Sequence, residues 1–156
     1  MTGCTDCDFS QHFKDVLNRN AEIALKKTTS DPDYFQKHEK GQTPKFLWIG
    51  CSDSRVIPED ILGMDIGEIF VHRNVANQAN PIDQNAMSAI EYAITYLNIS
   101  TVIVAGHYEC GGIKASLSNK DFGHLESWLS QIRELRYRNH QFLSSLPEKD
   151  RLNKLI

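Results

Sequence analysis

An α/β fold, with a central and mainly parallel β-sheet flanked by helices, is predicted by two apolar runs that stop at reactive side chains and by the helical patterns around them. Phe46-Leu47-Trp48-Ile49-Gly50 ends in Cys51-Ser52-Asp53-Ser54-Arg55, and Thr101-Val102-Ile103-Val104-Ala105-Gly106 ends in His107-Tyr108-Glu109-Cys110-Gly111-Gly112. Continuous apolar runs of this length suit parallel strands covered on both faces, and open α/β sheets place ligands just outside the carboxyl ends of such strands.

The chain has 156 residues, of which 40% are hydrophobic and 24% charged, an ordinary globular balance for one core. A net charge of -3 without a dense Lys/Arg block argues against nucleic acid as a partner. Arg133, Arg136 and Arg138 read as a solvated helix face. No basic segment leads into an apolar one and no run reaches membrane-spanning length, so a soluble, cytoplasmic protein without a membrane partner is expected. Four cysteines, two of them at strand ends, do not make a disulfide framework. Cys4 and Cys7 form C-x-x-C ahead of any predicted element, without the strand and helix that a redox motif needs, and read as a mobile terminus.

Taken in order, Phe9, Phe13, Val16, Leu17, Ile23 and Ala24 recur at helical spacing and predict an amphipathic helix over 9–27, broken at Thr28 to Asp33. Residues 1–33 are thus a tail and helical arm, and 34–156 the α/β domain. Tyr34 to Lys40 reads as a short helix stopped by Gly41, with Gln42-Thr43-Pro44 entering the first strand. Pro58 to Leu62 reads as a helical turn and Ile69 to Asn74 as the next strand. Asn80-Pro81 is expected to open a helix with Met87, Ile90, Ile94 and Leu97 on one buried stripe, flanked by Tyr92 and Tyr96. Gly111-Gly112 is expected to let the backbone approach the site and to start a helix to about Ser118. Leu125, Trp128, Leu129, Ile132, Leu135, Phe142 and Leu143 predict one long helix, and Pro147 another still running at Ile156.

Cys51, His107 and Cys110 form a soft N/S ligand set suited to Zn²⁺, brought together if the two strand ends are neighbours, with Asp53 available as a fourth ligand. The order C-S-D-S-R, Gly67-Glu68-Ile69-Phe70-Val71-His72-Arg73-Asn74, Ile90-Glu91-Tyr92-Ala93 and H-x-x-C-G-G resembles the β-class carbonic anhydrases, closely the bacterial type, over residues 34 to 146. The resemblance implies zinc-dependent reversible hydration of CO2 to bicarbonate. It implies a homodimer or higher homo-oligomer with the N-terminal helix reaching a partner subunit. It also implies a substrate cleft at Gln42, Phe70, Val75, Tyr92 and Gly111, and a regulatory bicarbonate pocket at Trp48 and Arg73. The family continues beyond the point where this chain stops and adds a further strand. The three strands expected here, at about 45–50, 68–74 and 101–106, leave an edge in need of cover, and truncation or an unusual assembly is the expectation.

Chemically, two thiolates and a neutral imidazole leave a zinc site formally uncharged, so water activation needs help. Asp53 is the natural helper, and the planar fork of Arg55 suits a bidentate pair that holds Asp53 off the metal. Without that pair Asp53 becomes the fourth ligand and the site closes. Two other functions fit the same ligands: a structural zinc domain with a permanently closed site, and a hydrolase of carbonyl sulfide or carbon disulfide.

Overall fold

The computed structural model describes residues 6–156; Cys4 lies outside them, and of Cys7 only the backbone is described. The chain divides into two compact units, the first ending at Gln42 and the second spanning Thr43–Ile156. The break follows Gly41, whose φ of 132° is open to glycine alone and which closes the short helix expected over Tyr34 to Lys40.

The first unit holds α1 (Asp6–Ser30) and α2 (Gln36–Glu39). α1 continues through the expected break at Thr28, where Thr28 Oγ1 donates to Ala24 O and Ser30 Oγ to Lys26 O, so the hydroxyls find acceptors within the helix. Phe13, Val16, Leu17 and Ile23 on α1 are all more than half exposed, so the apolar stripe of this helix is uncovered.

The second unit is built on three strands, β1 (Phe46–Cys51), β2 (Ile69–Asn74) and β3 (Val102–Ala105), all parallel, in the order β2-β1-β3. β1 is central and buried almost throughout. Leu47 and Ile49 pack with Ala93 and Ile99 on one face, and Trp48 packs with Val56 and Ile69 on the other. Burial of Leu47 and Ile49 contributes about 1.5–3 kcal/mol each. Beyond the carboxyl end of β1, Cys51 and Cys110 join Ile113, Leu129, Ile132 and Leu143 in a third cluster.

β3 departs from the expectation of cover on both faces: Val102 is 41% and Val104 57% exposed. An apolar run reports that a strand is made to be covered, not by what, and β3 is paired along one edge only among the described residues.

α3 (Pro58–Leu62) follows its punctuation, with Pro58 at the first turn and Gly63 closing it in the left-handed region, its N–H donating to Glu59 O. α4 (Gln84–Glu91) starts later than Asn80-Pro81 suggests. Asn80 Oδ1 accepts from Ile82 N in a turn, and Asp83 is the cap, accepting from Asn85 N at 3.1 Å. The helix then loosens into a π turn over Tyr92–Tyr96, with Leu97 N donating to Tyr92 O. That extra residue rotates the stripe, so Ala86, Ala93 and Ile99 are buried and Ile94, expected inside, is half exposed.

α5 (Gly111–Leu117) begins where expected. The long helix is two: α6 (Leu125–Arg138) stops at Asn139, whose Nδ2 donates to Leu135 O, and α7 (His140–Ser144) follows, leaving Phe142 exposed. α8 (Glu148–Asn153) ends before the terminus. Leu155 is buried, and Ile156 lies so near Gly106 that a Cβ there would fall 2.2 Å from its Cγ2.

Candidate metal centre

β1 delivers Cys51 at its last residue, and the turn after β3 delivers His107 and Cys110. The Sγ atoms of Cys51 and Cys110 and a ring nitrogen of His107 all lie within 4.8 Å of one another. The sulfurs are 3.9 Å apart and the thiols are free. Two thiolates each about 2.3 Å from a tetrahedral ion lie about 3.8 Å apart, whereas a disulfide closes to about 2 Å.

His107 supplies the sharper test. Its Nδ1 is 3.0 Å from Tyr108 O, a carbonyl that only accepts, so Nδ1 carries a proton and Nε2 is the nitrogen left for a metal. Nε2 is buried and has no hydrogen-bond partner. A buried, unpartnered ring nitrogen on an imidazole grouped with two sulfurs and held through its other nitrogen is what a metal ligand fixed by its outer hydrogen bond presents. Burial pushes the Cys110 thiol up, and the neighbouring Cys51 adds to this, while the backbone N–H groups of Ile113 and Gly112 pull it back. A bound cation favours the thiolate, so metal affinity falls as pH falls and protons compete for the sulfur.

Asp53 stands beside this group and outside it. Arg55 Nε donates to Asp53 Oδ1 at 2.8 Å and Nη2 to Oδ2 at 2.7 Å, the bidentate pair the sequence predicts, and Arg55 N adds a third bond at 3.0 Å. Asp53 Oδ2 is 3.9 Å from His107 Nε2. The Arg55 side chain and then its backbone N–H hold the Asp53 carboxyl well below the usual carboxylate range. The pair is complete above the ordinary value of about 3.9 and is lost only as pH falls through the lower folded value.

Arg73, which the resemblance assigns to an anion pocket, has a role that sequence reasoning missed. Its Nε donates to Cys51 O and its Nη2 to Asp53 O, clamping the turn that carries a ligand and the carboxylate. No pattern of side chains signals this, because both acceptors are backbone carbonyls. Trp48 Nε1 is buried without a partner, and its ring covers Gly50 so closely that a Cβ would meet Nε1 at 2.1 Å.

Phe70 and Tyr92 come together, their ring centroids 5.6 Å apart, and Tyr96 stacks on Tyr92. Val75 sits instead beside the metal group, in the turn Val75–Asn77, where its carbonyl accepts from Trp128 Nε1. Gly111 has open space around it. Gly112 is the residue that needs to be glycine, for packing rather than for approach to the metal: a Cβ would lie 2.9 Å from both Ala76 Cβ and Val75 Cγ1. Gly112→Val should cost about 1–3 kcal/mol in chemical denaturation, by forcing apart the two segments that flank Cys110. Gln42 is exposed and belongs to the first unit.

Fold and site together define a parallel α/β protein with a Cys₂His metal group at the strand ends, a donor set that fits a metal cofactor. Residues 46–156 match the carbonic anhydrase family model. The chain is 45% identical to a carbonic anhydrase of Emericella nidulans over 147 residues, covering 93% of this chain and 64% of that protein. It is 44% identical to one of Candida albicans, over 90% of this chain and 50% of that protein. Among solved structures, one of two tetrameric β-carbonic anhydrases from Sordaria macrospora superposes with a TM-score of 0.87 at 38% identity, covering 93% of this chain and 75% of the other. The β-carbonic anhydrase of Aspergillus fumigatus gives 0.86 at 39% identity, over 92% and 69%. The chain belongs to the β-carbonic anhydrase family. These matches are fungal, where the motifs alone suggested the bacterial type, and the chain spans half to just under two thirds of the length of the two curated relatives.

Proposed function

We propose that the chain carries zinc-dependent, reversible hydration of CO2 to bicarbonate and a proton. The observation that carries this reading is the bidentate Arg55–Asp53 pair beside the three-ligand group. A structural site closed by Asp53 has no use for a guanidinium that holds the carboxylate back. Zinc held by Cys51, His107 and Cys110 would supply an acidified water as nucleophile. Asp53, ionised at working pH, is placed to accept a hydrogen bond and would orient such a nucleophile toward CO2. Phe70 and Tyr92, whose rings pack together, offer the apolar surface a small nonpolar substrate needs, with Val75 a further apolar contact and Gly111 room. Hydration followed with a pH indicator in stopped flow tests the reaction.

For the regulatory pocket, the unpartnered buried indole N–H of Trp48 supports an anion acceptor nearby. Arg73 speaks partly against it, with two donors already committed to backbone carbonyls.

A homo-oligomer is the assembly we propose. Its support is the uncovered stripe of α1 (Phe13, Val16, Leu17) and, on the second unit, the exposed Val102, Val104, Ile94 and Tyr96. Sedimentation should give a dimer or larger species, and Leu17→Asp should shift it toward monomer. A monodisperse, fully active monomer would contradict this.

A further inference from the structure

At the far end of α5 from the metal group, about 10 Å along the helix, lies a cavity of about 360 Å³ between α5, α6, α7 and α8. Arg133, Arg136, His140 and Arg151 line it together with the fully buried Ser116 and the buried Leu143, and among the described residues no Asp or Glu does. This is a local reversal in a chain whose net charge is -3.

The bland account of these arginines is surface pairing. It holds for Arg138, outside this cavity, whose Nε donates to Glu134. It holds in part for Arg133, paired with Glu126, although its buried Nε has no partner. Among the described residues it fails for Arg136 and Arg151, neither of which meets a carboxylate there. Arg136 Nη1 donates to Leu117 O, and Arg151 donates from Nε to Leu146 O and from Nη2 to Ser144 O. These backbone anchors fix two positive guanidiniums at the rim and leave most of their five donors each unused. Pre-organised forks that face a cavity, with no carboxylate beside them among the described residues, are the arrangement that binds a tetrahedral oxyanion of double charge. The volume lies at the low end of small-molecule sites and exceeds what a bare phosphate fills, with Leu143 and the Tyr137 ring as apolar wall.

We propose that this cavity is a binding site for a small organic phosphate, separate from the metal centre. Calorimetry on the full chain at fixed ionic strength should show saturable binding of phenyl phosphate, tighter than inorganic phosphate and much tighter than benzoate. Arg136→Gln and Arg151→Gln should each weaken it about tenfold or more, the loss of one charge-assisted hydrogen bond, while Arg138→Gln leaves it unchanged. In the parent protein the imidazole resonance of His140 should move with the same saturation curve and that of His38 should stay, a readout that needs no variant to fold. Metal content and CO2 hydration should be unaltered in the arginine variants. Absence of saturable binding, equal weakening by Arg138→Gln, or loss of binding in Cys51→Ser with the arginine variants unaffected would overturn the proposal.

Discussion

Arg55→Ala is expected to keep its metal and its fold and to lose CO2 hydration by about 100-fold, the upper end of what removing a partner outside the ligand sphere costs. The variant leaves Cys51, His107, Cys110 and Asp53 in place and removes only the guanidinium that donates at 2.8 and 2.7 Å to the two oxygens of Asp53. Freed of that fork, a carboxylate already 3.9 Å from His107 Nε2 would be available as a further ligand to a bound cation and would displace the nucleophile. Arg55→Lys should recover only part of the rate, because an ammonium offers a point charge where two parallel donors are required. Metal analysis and hydration kinetics on the same preparations check this. Hydration by Arg55→Ala at the parent rate would remove Asp53 positioning from the account.

Cys51→Ser is expected to abolish both metal and activity, from about one ion per chain to near none. A serine hydroxyl does not ionise at neutral pH, and the remaining donors, His107 and Cys110, are two ligands for an ion that wants four. The loss should also destabilise the fold. Cys51 is the last residue of the central strand and packs in the cluster that ties β1 to α5 and α6, so metal release uncouples the strand end from the helices. Metal content and thermal unfolding, each with and without chelator, separate the two effects: chelator should lower the parent's melting temperature and leave that of Cys51→Ser unmoved. Full metal occupancy in Cys51→Ser would show the ligand set to be wrong.

What was legible in the sequence followed from local chemistry. β1 and β3 show as apolar runs, α3 is bracketed by Pro58 and Gly63, and the Asp53–Arg55 pair is visible because its partners are two residues apart. The ligand set was legible because each ligand closes a strand-like run. The illegible parts depend on backbone atoms or on distant contacts. The π turn at Tyr92–Tyr96 moved Ile94 outward without any residue that announces it. Asn139 divided α6 from α7 by a side-chain bond to Leu135 O, in a stretch whose apolar spacing reads as continuous. The clamp of Arg73 on Cys51 O and Asp53 O involves no acceptor side chain, and the need for glycine at Gly112 arises from Val75 and Ala76, which are remote in sequence. The charged cavity assembles Arg136 and Arg151 from different helices, so the helix face that looked merely solvated turned out to have a neighbour.

The central claim is that one metal, held by Cys51, His107 and Cys110 beside an Asp53 restrained by Arg55, hydrates CO2. Its most direct test is stopped-flow hydration measured on a single purified sample whose zinc content is titrated from none to saturation. The account predicts a rate that rises in proportion to zinc and levels off at about one ion per chain. A fully zinc-loaded, folded sample that hydrates CO2 no faster than buffer would contradict it.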